Sequence, residues 1–171
     1  MGAASGERCT VRFATVDDLP ALSALVHEME VHYERSAAPS EVAVRAALER
    51  HVFAAGSAID VLVAEDDGQL LGFASVSMLF PADLLAPALF MKDIFVRAAV
   101  RSRGVGTALM RAVARLAVAR GCSRINWNTG RTNSAALAFY ARVGARPWED
   151  VVTLRLDGEA MMRRANEAGD G

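Results

Sequence analysis

Between Asp93 and Thr107 an apolar run, Ile94-Phe95-Val96, gives way to a short basic loop, and Gly104-Val105-Gly106 then opens a helical pattern. A strand, a turn and a glycine-started helix in such close succession leave the backbone few alternatives. The turn presents N–H groups that have no carbonyl partner within the helix, at the end where the helix dipole favours an anion. Gly104 and Gly106 carry no side chain to keep phosphate oxygens away, and Arg101 and Arg103 add charge of the right sign. It is not a Walker loop, because no Lys-Ser/Thr follows Gly106, nor a dinucleotide fingerprint, because Leu109 stands where a third glycine would fall. By itself the turn is equally compatible with tight packing and solvated arginines.

The rest of the chain supplies its context. Thr10–Ala14 alternates as a short strand, and Thr15 with Asp18 three residues on forms a helix start, with Pro20 suited to the first turn. Leu19, Leu22, Val26, Met29 and Tyr33 then follow at helical spacing, which predicts a helix over Asp18–Glu34. Pro39-Ser40 opens a second helix to about Phe53. Ile59–Glu65 and Leu70–Leu79 read as strands joined by an Asp66-Asp67-Gly68 turn, and Leu89–Val96 as a third consecutive strand. Gly104–Arg120 is helical and ends at Gly121. Ser123–Thr129 reads as a strand, Ser134–Val143 as a helix, Val151–Leu156 as a last strand and Glu159–Asn166 as a terminal helix. Three hairpin-linked strands followed by strand–helix units indicate an α/β (α+β) fold, a mixed sheet with helices on its faces.

Bulk properties narrow the function classes. A chain of 171 residues suits one domain, here read as spanning 1–171 with 1–8 and 167–171 frayed. Apolar residues at 53% and charged residues at 23% suit a soluble globular protein, and a net charge of −1 gives nucleic acid no electrostatic footprint. Cys9 and Cys122 belong to no metal-spaced cluster, so no metal and a reducing, cytoplasmic setting are expected. The start lacks the build of a signal peptide, and the apolar stretch Met78–Met91, broken by Pro81, Asp83 and Pro87, is too short to span a bilayer. No membrane partner is expected.

Two motifs in order carry a resemblance. Arg101-x-x-Gly104-x-Gly106 after an apolar strand resembles the pyrophosphate-binding signature of the GNAT superfamily of acyl-CoA N-acyltransferases. Asn133-Ser134-Ala135-Ala136-Leu137-Ala138-Phe139-Tyr140-Ala141-Arg142-Val143-Gly144-Ala145 resembles its Asn-x-x-Ala-x-x-Phe-Tyr helix. The Asp93-Ile94-Phe95-Val96 strand, Gly121-Cys122-Ser123-Arg124 and Leu154-Arg155-Leu156-Asp157 are most similar to the spermidine/spermine and thialysine N-acetyltransferase group. The resemblance implies a splayed, mostly antiparallel sheet and a homodimer. It further implies acetyl transfer from acetyl-CoA to a primary amine of a small molecule, by direct attack in a ternary complex.

On that resemblance the pantetheine arm pairs with Ile94, Phe95 and Val96, and the pyrophosphate lies on Arg101, Ser102, Arg103, Gly104, Val105, Gly106 and Thr107. Asn133 and Ala136 touch the CoA arm. Tyr140 protonates the departing thiolate, a step that suits a phenol. Acceptor-site candidates are Glu28, Glu30, His32 and Tyr33 on the first helix, Lys92, and Asn126 and Asn128, which share one face of their strand while Trp127 takes the other. The polyamine-type pattern has Glu-Asp where this chain has Lys92-Asp93. A lysine facing the cleft would disfavour polycations and favour an amine that also bears a carboxylate. Regular alternation sends Asp93 to the opposite face from Lys92, so it serves the site only if a bulge re-aims it. The loop 80–88 is long enough to cover an acceptor groove. Two other readings are a non-catalytic acyl-CoA-binding regulatory module and a peptide or protein N-acetyltransferase.

Overall fold

A computed structural model describes residues 9–33 and 37–167; the expectations for 1–8, Glu34 and 168–171 lie outside them. The elements are β1 (Thr10–Phe13), α1 (Leu19–His32), α2 (Glu41–His51), β2 (Ile59–Asp66), β3 (Gln69–Leu79), β4 (Ala88–Val96), α3 (Val105–Ala119), β5 (Ile125–Trp127), α4 (Ser134–Arg142) and α5 (Gly158–Asn166). They fall into two compact units, Met1–Ser134 and Ala135–Gly171.

The first unit is a five-stranded mixed sheet in the order β1-β2-β3-β4-β5, antiparallel up to β4 and parallel between β4 and β5. Its hairpin turns on Asp67 and Gly68, both at positive φ (48° and 76°), the pairing that matches strand twist. One face buries Leu22, Leu25, Met29, Val44 and Leu48 of α1 and α2 against Val61, Val63, Phe73 and Phe95. The opposite face packs against Leu109 and Val113 of α3. Gly72 marks how closely β3, β4 and α3 meet, since a Cβ there would lie 2.5 Å from the Phe95 carbonyl oxygen and 3.3 Å from Leu109 Cδ1.

Local signals act as expected at the helix ends. Ser40 accepts a bond from the Ala43 N–H at the start of α2. Gly121, at φ 68°, closes α3, with Gly121 N–H bonded to Val118 O and Cys122 N–H to Ala117 O. At the entry to α1, the Thr15 N–H donates to Asp18 Oδ2 at 2.7 Å, and Arg12 grips the same carboxylate through two nitrogens at 2.7 and 2.8 Å. The Arg12 guanidinium holds the Asp18 carboxyl at about 2, against the opposing effect of burial.

A depressed folded pKa stabilises above the unfolded value and is lost as pH falls through the folded one. Asp18→Asn should therefore cost about 2 kcal/mol at neutral pH. The gap between variant and parent in urea unfolding should close between about pH 4 and about pH 2. A gap that stays constant across that window would show that the ion pair contributes nothing.

Two sequence expectations are corrected. The strand expected over Ser123–Thr129 is confined to Ile125–Trp127. The strand expected over Val151–Leu156 is irregular and joins no sheet among the described residues. Alternation alone cannot make a strand, whose backbone bonds must come from a neighbour.

Candidate active site

β4 is where the sheet opens. Leu89, Phe90 and Met91 pair with Ile125, Asn126 and Trp127, but from Lys92 to Val96 β4 has β3 on one side and no β5 partner on the other. The expected splay therefore exists, bordered by Ile94, Phe95 and Val96.

At the start of this gap the β3–β4 register shifts. Ser75 opposes Asp93 while Val76 opposes Met91, so Lys92 is an extra residue on β4. Phe90 lies opposite Ser77 and Phe95 opposite Phe73. Cross-strand partners share a face, so the bulge puts Asp93 on the α1 side with Phe90 and Phe95. The condition for Asp93 to serve the site is met, and regular alternation is overruled. Asp93 is half-buried and lies 3.4 Å from Ser75 Oγ. Ser75 escaped the sequence reading; a serine in the apolar run Leu70–Leu79 was its only signal. Lys92 is exposed, with Nζ 3.3 Å from Asp93 Oδ1. Its ammonium accompanies the carboxylate instead of standing alone in a cleft.

The end of α1 covers the same face. Glu28 Oε2 lies 3.5 Å from Arg97 Nε, and the His32 ring lies 6.0 Å from that of Phe95. Arg101 Nη2 is 3.4 Å from His32 Nε2, its Nε donates to the Val96 carbonyl at 3.1 Å, and its guanidinium carbon is 5.8 Å from the Phe95 ring centre. These pairings join the strand end, the turn and α1, and no periodicity could have revealed them. Tyr33, read from spacing as part of the buried stripe, is instead exposed just past the end of α1. The buried stripe ends at Met29.

Beyond Val96 the chain makes a 3-10 turn at Ala98–Val100, turns through Ser102 at φ 64° and Gly104 at φ 87°, and enters α3. The first N–H to bond back along α3 is that of Ala108, to Gly104 O at 2.9 Å. The N–H groups of Val105, Gly106 and Thr107 thus belong to the open first turn, the arrangement that suits an anion such as a phosphate.

Asn126 faces the α1 side by its pairing with Phe90, and Trp127 faces the α3 side by its pairing with Met91. Asn128 lies past the strand end and is exposed. The loop before β4 is tied to the start of β5: Asp83 contacts Arg124 at 2.6 Å, and the Ser123 N–H donates to Pro87 O at 2.9 Å. That anchor is at the end of β4 remote from the Gly104 turn, and Leu84 is fully exposed.

In the second unit, Tyr140 sits in the last turns of α4, half-buried, its ring centre 5.4 Å from that of Phe139. Asn133 immediately precedes α4 and, like Ala136, is half-buried.

A model of the acetyltransferase (GNAT) family matches residues 24–145. The chain is 32% identical over 96 residues to an L-ornithine N5-acetyltransferase of Arabidopsis thaliana, covering 56% of this chain and 42% of that protein. It is 29% identical over 82 residues to a thialysine N-epsilon-acetyltransferase of Sus scrofa, covering 46% and 48%. The chain thus spans less than half the length of these curated relatives. Its fold superposes on an integron cassette protein of V. cholerae with a TM-score of 0.87 at 29% identity, covering 95% of this chain and all of the other. Among the described residues no helix is long and apolar enough to cross a membrane, and no three His, Cys, Asp or Glu side chains are grouped to hold a metal ion.

Proposed function

The chain belongs to the GNAT acetyltransferase family, and on that premise we propose that it moves the acetyl group of acetyl-CoA onto a primary amine of a small amino-acid-like molecule. The observation that carries this reading is the continuity of the unpaired β4 edge, Lys92–Val96, with the open first turn of α3. An edge without a β5 partner, where Arg101 Nε already holds the Val96 carbonyl, suits the amide-bearing pantetheine arm, and Val105, Gly106 and Thr107 N–H groups suit the pyrophosphate. Arg101 and Arg103 add positive charge there. The thioester supplies an activated acetyl group; everything else is positioning and proton management by the chain.

Asp93 holds the acceptor's ammonium on the face shared with Glu28, His32 and Asn126. The ammonium gives a proton to solvent and the neutral amine attacks the thioester carbonyl carbon; as the C–S bond breaks, Tyr140 donates its proton to the leaving thiolate and regains one, through solvent, from the nitrogen that becomes the amide. The relatives named for ornithine and thialysine support an acceptor that carries both an amine and a carboxylate. Lys92, beside Asp93, offers that carboxylate a cation.

The test is release of free thiol from acetyl-CoA over ornithine, lysine, thialysine, spermidine and a peptide. Turnover of the amino acids above the polyamine and the peptide is expected; no thiol release with any amine would leave the binding-module reading standing. Lys92→Glu should invert the preference, lowering kcat/KM for ornithine and raising it for spermidine by about tenfold each. The effect should shrink as salt rises. An unchanged ranking would place Lys92 outside acceptor recognition.

A further inference from the structure

The two faces of the first unit's sheet are covered unequally beside the gap in β4. On the α3 side Ala74, Val76, Leu89 and Met91 are at most 1% exposed. On the α1 side Phe73 and Phe95 are buried in the core that α1 and α2 build. Further along the same face that cover ends, and Ser75, Ser77, Phe90, Asp93 and Asn126 are only half-buried. Strand pairing sorts these five into two rows that cross the strands. Ser75 opposes Asp93 in the first row, while Ser77, Phe90 and Asn126 are partners across β3, β4 and β5 in the second. Along β3 the rows are two residues, about 7 Å, apart.

The rows differ in chemistry. The first carries a carboxylate, with Ser75 Oγ 3.4 Å from Asp93 Oδ2. The second carries no charge: an aromatic ring stands between a hydroxyl and a carboxamide. A hydroxyl and a carboxamide each donate and accept, so they answer to a carboxylate and to an ammonium alike. The ring between them offers apolar surface to methylene groups. A sheet face of this polarity can be a solvated face and nothing more. Here it adjoins Asp93 at the point where β4 parts from β5.

On the reading that Asp93 holds the amine to be acetylated, we propose that Ser77, Phe90 and Asn126 determine acceptor specificity by seating an α-amino-acid head group. Ser77 and Asn126 hydrogen-bond its carboxylate and its ammonium, and Phe90 carries the methylenes that lead to the reacting nitrogen. The spacing of the rows matches the span from side-chain nitrogen to head group in a diamino acid such as ornithine. A polyamine instead brings a second cation to a row that holds no carboxylate, and loses there what the amino acid gains. The head group is remote from the reacting carbonyl and is held equally in the ground and transition states, so its contacts act on KM and spare kcat.

The test compares ornithine with butylamine, which has the same reacting end and no head group. In the parent, ornithine should have the lower KM. Ser77→Ala and Asn126→Leu should each raise that KM about tenfold with kcat unchanged, the worth of a hydrogen bond to a charged group. Both should leave kcat/KM for butylamine at the parent's value, which also shows that the variants are folded. Ser77→Thr keeps a hydroxyl and should keep the parent's KM. Asn126→Asp should raise kcat/KM for putrescine, which is ornithine without its carboxylate, and lower it for ornithine. Equal KM for ornithine and butylamine in the parent, or equal losses for both amines in variants with the parent's circular dichroism, would make the second row a solvated face. Either result overturns the proposal and leaves acetyl transfer standing, whereas no thiol release with any amine would remove the reading beneath it.

Discussion

Replacing Tyr140 with phenylalanine should lower kcat by about 10²–10⁴ while leaving acetyl-CoA affinity nearly unchanged, the usual worth of a general acid. The substitution keeps the ring and its contact with Phe139 at 5.4 Å, and removes only the hydroxyl. A phenol ordinarily titrates near 10, so it carries its proton at neutral pH and can surrender it to a thiolate as the C–S bond breaks. The effect belongs to kcat because the thiolate charge develops only in the transition state. Single-turnover measurements keep product release from masking the chemical step. A Phe variant with the parent's single-turnover rate would remove Tyr140 from the reaction and leave it as a packing residue.

Gly104→Asp should weaken acetyl-CoA binding at least tenfold, the equivalent of about 1.4 kcal/mol or more. Gly104 has φ 87° and occupies the N-cap of α3. Two effects of an aspartate oppose one another in the free protein: a carboxylate caps a helix start well, while a positive φ strains a residue with a Cβ. The fold should therefore survive. Toward a pyrophosphate both effects act in the same direction, since the carboxylate occupies the open N–H groups and repels the anion. Gly104→Asn separates charge from shape, because asparagine tolerates the left-handed region and carries no charge. Calorimetric titration should rank the parent above Asn and Asn above Asp. Equal affinity for all three proteins would take the turn out of the binding site.

Gains and losses in legibility follow the range of the interactions. The start of α1, the cap at Ser40 and the close of α3 at Gly121 are each set by residues within six positions of one another, and all three were readable. So was the Gly104 turn, whose chemistry lies in its own backbone. The hairpin at Asp67-Gly68 was readable for the same reason.

The site's other half was not. Asp93 shares a face with Phe90 only because β3 and β4 slip by one residue at Lys92, and that slip is a property of two strands. Glu28 meets Arg97, and His32 meets Arg101, because the end of α1 lies beside the turn that follows β4. The Val151–Leu156 pattern misled in the opposite sense: it reads as a strand, yet among the described residues it joins no sheet. Sequence by itself determined the helices, the order of the first five strands, the caps and the backbone of the Gly104 turn, because helices and turns satisfy their backbone groups locally. Only the tertiary structure decided which faces Asp93, Asn126 and Lys92 present, where β4 parts from β5, and which strand-like segment stays outside the sheet, because a strand's hydrogen bonds are made by residues distant in the chain.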